Sequence, residues 1–145
     1  MSDIQPLSKL SILGKIQSIE DGLLTLPQIN IPLFHHHGKD SYAREAHIPK
    51  GSLVTGRVHL HDNMNFLMKG DISVMTEEGM KRFIAPSIIC SKSGIKRIAY
   101  AHEDCIWVTV IGTEITNPDE IEAKFTASSE RDYLEHCKPF ELKGI

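Results

Sequence analysis

The stretch Gly56–Gly70, GRVHLHDNMNFLMKG, decides how the chain is read. His59 and His61 stand two apart at the end of a strand-like run. Residues two apart in a strand share a face, so both imidazoles can reach one point. Asn63 and Asn65 continue the odd-numbered alternation if the chain stays extended. Lys69-Gly70 then supplies a turn. A His-x-His pair on a strand is a standard way for a β scaffold to offer two nitrogen ligands to Zn, Fe, Mn, Cu or Ni.

On both sides of this stretch the texture stays β. QINIPLF, YAREAHI, SLVTGRVHL, NFLMK, DISVMT, MKRFIA, SIICS, KRIAYA and CIWVTVIG all read as short strands rich in Ile, Val, Phe and Thr. Turn signals separate them at Pro49-Lys50-Gly51, Lys69-Gly70, Glu78-Gly79 and Ser93-Gly94. DISVMT-EEG-MKRFIA is the clearest hairpin, with Gly79 supplying the positive φ of a tight loop. So many short strands in sequence predict an antiparallel sandwich or barrel.

The two ends are different. Between residues 7 and 26, Leu7, Leu10, Leu13, Ile16, Ile19, Leu23 and Leu26 recur at helical spacing, against which Gly14 and Gly22 count; Pro27 ends the element. Asn117-Pro118-Asp119-Glu120 is a helix start: Asn117 caps, Pro118 suits the first helical position and Glu120 completes a capping box. A further short helix is expected over Ser129–His136. The expected organisation is a helical segment over 1–27, a β body over 28–116 and a helical tail over 117–145.

A chain of 145 residues suits one domain, and its 41% hydrophobic and 24% charged content is that of a globular protein. The net charge of -3 offers no basic excess, so nucleic acid is not an expected partner. Three cysteines without a Cys-x-x-Cys pair argue for free thiols in a reducing compartment; Cys90 and Cys105 are expected to be buried. The opening MSDIQPLSKL has no long apolar core and no run of apolar residues is long enough to span a membrane. The expected location is cytoplasmic.

The β body, His59-x-His61 and the Lys69-Gly70-Asp71 turn together resemble the cupin superfamily. The resemblance implies a jelly-roll barrel and covers roughly residues 40 to 112. It also implies a metal held by the two His of a first motif, by a Glu that follows them, and by a His of a second motif. His59 and His61 match the His pair and Gly70 the closing Gly. The Glu position falls on Asn65 counted forward from His61, or on Asn63 counted back from Gly70. In the second motif Gly94 matches a Gly, Lys92 stands in the Pro place, Arg97 where the third His should be, and Ala101 in the Asn place. Within the superfamily, YAREAHIPKGSLVTGRVH and the later SGIKR and WVTV look most like small cupin-like proteins of tailed bacteriophages and prophages, which would place the chain in a host cytoplasm or a virion.

These substitutions change the chemistry. Arg97 cannot ligate a metal and would repel a cation. A replacement carboxylate could come from Glu45 or Glu103, completing a site for Zn, Fe, Mn or Ni with His59 and His61. Without metal, His59, His61, Asn63, Asn65 and Arg97 are converging hydrogen-bond donors, and Tyr42 and Arg44 share a strand face that can join them. Such a set suits an anionic small molecule. His35, His36 and His37 alternate in direction, so His35 or His37 could join the same site. His102 has the opposite parity to Arg97 and should face away; Trp107 reads as packing. Three functions compete: a small-molecule-binding protein, a metal-dependent oxygenase, isomerase or lyase, and a viral structural or host-interacting protein. The edge strands and the apolar N-terminal helix favour a homo-oligomer.

Overall fold

The computed structural model of the chain describes residues 9–76, 78–94 and 96–127. The expected helix over Ser129–His136 and Cys137 lie outside these residues. Helix α1 runs over Lys9–Leu23, strands β1 to β9 over Leu33–Gly38, Ser41–Ile48, Leu53–His59, Asn63–Lys69, Asp71–Thr76, Gly79–Ile84, Ser87–Ser91, Lys96–Ala101 and Cys105–Ile111. Helix α2 spans Pro118–Phe125 and a short β10 spans Thr126–Ala127.

The strands form two antiparallel sheets of five, ordered β1-β2-β9-β4-β7 and β10-β3-β8-β5-β6. The pairs β2 with β9, β3 with β8, β4 with β7 and β5 with β6 are nested one inside the next. This is a hairpin rolled up on itself, a jelly roll. The expected barrel is corrected in one respect. The ladders stop at β1, β7, β6 and β10, so the two sheets face each other without closing into a barrel.

Alternation sends Arg44, Ala46 and Ile48 of β2 inward, with Leu67 of β4, Ile72 and Val74 of β5, and Ala99 and Ala101 of β8. At one end these residues and Cys105 make a dry core. Burial raises the Cys105 thiol pKa, and no polar network reaches it beyond backbone carbonyls. Gly70, at φ +98, turns β4 into β5 there; a Cβ would lie 2.4 Å from the carbonyl oxygen of Asp104, so only glycine fits. Gly79 takes the expected positive φ in the β5–β6 loop.

Two elements depart from the expectation. Of QINIPLF only Leu33 and Phe34 are strand; β1 begins at Leu33, after Pro32, and takes in His35, His36 and His37. Paired on one side only, β1 is an exposed edge strand, where polar side chains on both faces cost little. Helix α1 ends at Leu23, ahead of Pro27, where Thr25 Oγ1 bonds the Gly22 carbonyl. Cys90 is exposed on edge strand β7, not buried.

Helix α1 lies against the outer face of β8. Ile16 is buried, and Glu20 reaches both Lys96 Nζ at 2.7 Å and Thr55 Oγ1 at 2.6 Å. Lys96 is 1% exposed, so its charge requires that partner. In α2 the N-cap holds, as Asn117 Oδ1 accepts from the backbone N–H of Asp119 and Glu120 at 2.9 and 3.2 Å, but among the described residues Glu120 does not return a bond to Asn117 to complete the box. None of the helices among the described residues is long and apolar enough to cross a membrane.

Candidate anion-binding cavity

A cavity of about 310 Å³ opens between the sheets. Its floor is apolar, formed by Ile48, Ile72, Val74 and Ala99, with Trp107 on one side. Its mouth is basic: Arg44, Arg57, His59 and Arg97 all line it. No carboxylate does.

Each basic group is placed by a different piece of local structure. A bulge in β3 between Thr55 and Val58 shifts the alternation, so Val54 and then Arg57 and His59 face the cavity. Two backbone bonds clamp the end of β3: Gly94 N–H to the His59 carbonyl at 2.7 Å, and Leu60 N–H to the Phe125 carbonyl at 2.8 Å. The strand ends there. His61 therefore leaves the alternation; it is exposed and packs edge-on against Phe125, ring centroids 5.5 Å apart. The structure does not bring His61 to the cavity.

Arg97 comes from β8 and is held by Ser91, whose Oγ accepts from its Nε at 3.0 Å and from its Nη2. Ser91 belongs to a buried network centred on Asn65. Asn65 Nδ2 donates to Ser91 Oγ at 2.6 Å and to Asn63 Oδ1 at 2.9 Å. Asn65 Oδ1 accepts from Trp107 Nε1 at 3.1 Å and from Thr109 Oγ1 at 2.8 Å. Trp107 is thus both wall and donor. Asn65 lines the cavity but its amide is committed to the network; Asn63 is buried beside it and does not line the cavity, and its Nδ2 has no partner among the described residues.

Arg57 is likewise committed, with Nε 2.7 Å from Thr126 Oγ1 and 3.1 Å from Glu122 Oε1. Arg44 is not. Partly buried on β2, it makes no hydrogen bond or ion pair among the described residues. His59 makes none either. Burial pushes the His59 pKa down to about 4, and the neighbouring charges of Arg44 and Arg97 push the same way. His59 is a neutral imidazole at pH 7.

Arg44 and His59 also line a smaller cavity of about 130 Å³, next to the first. Tyr42 is found here, not in the larger space. Its hydroxyl lies 2.6 Å from His35 Nδ1, and burial raises its pKa. Of the triple histidine, His35 lines this cavity and His37 packs on the Tyr42 ring, while His36 points outward. A third, open cleft of about 350 Å³ lies between edge strands β6 and β7, where Lys81 pairs with Glu78 and Lys92 with Asp62 on the surface.

The two candidate carboxylates are elsewhere. Glu45 has the opposite parity to Arg44 and sits on the outer face of β2, its carboxylate bonded by His47 and by His36, which hold its pKa low. Glu103 is exposed in the β8–β9 turn, 3.5 Å from Lys50 Nζ. His102 faces away from the cavity, as expected, bonded to Ser73 Oγ at 2.7 Å. A metal therefore finds a poor donor set. Among the described residues, His59 is the only His, Cys, Asp or Glu in the wall of the cavity of about 310 Å³, and three arginines line the same wall. Among the described residues no three such side chains are placed to hold an ion.

Arg57, Trp107 and Thr109 were not anticipated as cavity residues. Parity carried a signal for all three: Trp107 and Thr109 alternate along β9, and Arg57 stands two residues before His59 and shares its face.

No protein-family model matches the sequence, and no curated protein matches it. Solved structures match in shape. Ectoine synthase from P. lautus superposes with a TM-score of 0.55 at 11% identity, over 70% of this chain and 78% of that one. A cupin superfamily protein from Desulfitobacterium hafniense gives 0.51 at 4% identity, over 61% and 82%. An acetylacetone dioxygenase from Acinetobacter johnsonii gives 0.50 at 21%, over 59% and 61%. At these identities the likeness concerns the fold alone, a jelly roll like that of the Desulfitobacterium hafniense cupin superfamily protein.

Proposed function

We propose that the protein binds a small anionic molecule in the cavity between its sheets. One observation carries the reading: Arg44 lines the wall of a cavity that no carboxylate of the described residues lines, and it makes no hydrogen bond or ion pair among them, Asp119 and Glu122 lying across the smaller cavity. A partly buried guanidinium is costly unless something meets it. A ligand anion meets it, and an arginine fork suits a carboxylate or phosphate. Arg97, fixed on Ser91, and the neutral His59 flank the same position. The test is thermal melting of the full chain against a panel of small anions. At least one should raise the Tm, and Arg44→Gln should abolish the rise. A panel that leaves Tm unmoved contradicts the reading.

A metal-dependent enzyme is the second reading, supported by His59 in the cavity and by a dioxygenase of the same fold. It requires close to one equivalent of metal in untagged protein; less than about a tenth sinks it. A homo-oligomer is also proposed, because among the described residues β1, β6 and β7 are paired on one side only. Light scattering that returns one protomer's mass would contradict it. The viral role rests only on the phrasing of the sequence, and the chain's absence from purified virions would remove it.

A further inference from the structure

The polar groups in the wall of the larger cavity are unevenly committed. Asn65 is saturated by Ser91, Asn63, Trp107 and Thr109. Thr55 Oγ1 donates to Glu20, and Thr126 Oγ1 donates to the Glu122 carbonyl while accepting from Arg57. Arg57 faces Glu122. What remains uncommitted is Arg44 and His59, side by side at the throat between the two cavities. Beyond them the floor of Ile48, Ile72, Val74 and Ala99 offers nothing to a hydroxyl.

A ligand for such a space is polar at one end only. A sugar acid or sugar phosphate would place hydroxyls against the floor, each losing its water without a replacement. Arg44, with no hydrogen-bond or ion-pair partner among the described residues, presents one guanidinium fork, which matches one carboxylate. The volume of about 310 Å³ equals the liquid share of roughly ten water molecules. It therefore suits a ligand of about ten non-hydrogen atoms.

We infer that the ligand is an apolar monocarboxylic acid of about this size, its carboxylate on Arg44 beside His59 and its hydrocarbon body on the Ile48–Ile72–Val74–Ala99 floor. This rests on the anion-binding reading and narrows it to one chemical class. Neutral His59 donates one N–H to the carboxylate. The bound anion also makes protonation of His59 easier, so binding takes up protons as pH falls.

Isothermal titration of the full chain at pH 7 tests this with octanoate, phenylacetate, acetate, inorganic phosphate, gluconate and 1-octanol. Octanoate or phenylacetate should bind at least tenfold tighter than acetate, phosphate, gluconate and octanol. Arg44→Gln should weaken binding tenfold or more. Ala99→Leu, which fills the floor, should weaken octanoate and leave acetate unchanged; Ala46→Leu serves the same purpose if the first variant does not fold. Phosphate or gluconate binding tighter than octanoate overturns the monocarboxylic class and leaves the anion reading intact. Octanol binding as tightly as octanoate, or an Arg44→Gln variant that binds octanoate normally, overturns both. No binding by any of the anions also overturns both.

Discussion

The two ends of the sandwich are built from the same alternating strands and differ in what the inward positions carry. At the end near Gly70, Leu67, Ile72, Ala101 and Cys105 close over one another and are almost fully buried. At the other, the inward positions of the same sheets carry Arg44, His59, Asn65 and Arg97 around an open space. The dry end contributes stability through buried apolar area. The basic end spends it, holding charge in a half-buried place. Polar groups kept inside at a cost to stability are what a binding site leaves on a fold.

This contrast can be broken by substitution. The largest effect is expected at the dry end. Leu67→Ala should cost about 2–5 kcal/mol in denaturant unfolding, by lost burial and a residual cavity, and leave the affinity of a bound anion unchanged. A cost under about 1 kcal/mol would mean that this end is not the core.

Next is acid. His59 is held below its ordinary pKa of 6.5, at about 4, by burial first and by Arg44 and Arg97 second. The unfolded chain binds this proton more readily than the folded one. The associated stability is therefore complete above about pH 6.5 and is lost as pH falls toward 4, up to roughly 3 kcal/mol. His59→Gln should flatten that part of the stability–pH curve. A wild-type curve with no slope between pH 6.5 and 4 attributable to His59 would show that it is not buried neutral.

Asn65→Ala removes the hub that joins Trp107, Thr109 and Ser91. It should cost about 2 kcal/mol through the donors left unpaired, and weaken ligand binding as Arg97 loses a fixed anchor. Asn117→Ala, which uncaps the helix whose Pro118, Asp119, Ile121 and Glu122 line the smaller cavity, should cost about 1 kcal/mol through the lost cap.

The smallest effect on stability is the most diagnostic. Arg44→Gln should change ligand-free stability by less than about 0.5 kcal/mol, or raise it, because no hydrogen bond or ion pair among the described residues is lost. A clear destabilisation would assign Arg44 a structural role.

How much of this could be read from the chain varied with the physics involved. Strands β2 to β9 were legible because apolar alternation and Gly or Lys-Gly turns coincide there, and Gly70 and Gly79 take the positive φ their turns require. The α2 N-cap was legible because Asn-Pro marks a helix start. The start of β1 was misplaced because an edge strand exposed on both faces carries no hydrophobic period, although its three histidines were read with strand alternation. The site was legible where parity holds: Arg44, Asn65 and Arg97 line the cavity as expected. It failed where parity breaks. His61 lies past the last residue of β3 and turns to Phe125, while Glu45 occupies the wrong face of a correctly read strand. The pairing that made His59-x-His61 look like half a metal site depended on one more extended residue than the fold provides.

The most direct measurement is the titration of the His59 imidazole by NMR, free and saturated with whichever anion of the panel stabilises the protein most. We predict a depressed pKa in the free protein and a clear rise on binding, lost in Arg44→Gln. A His59 resonance that titrates identically with and without the bound anion would contradict an anion site at Arg44 and His59.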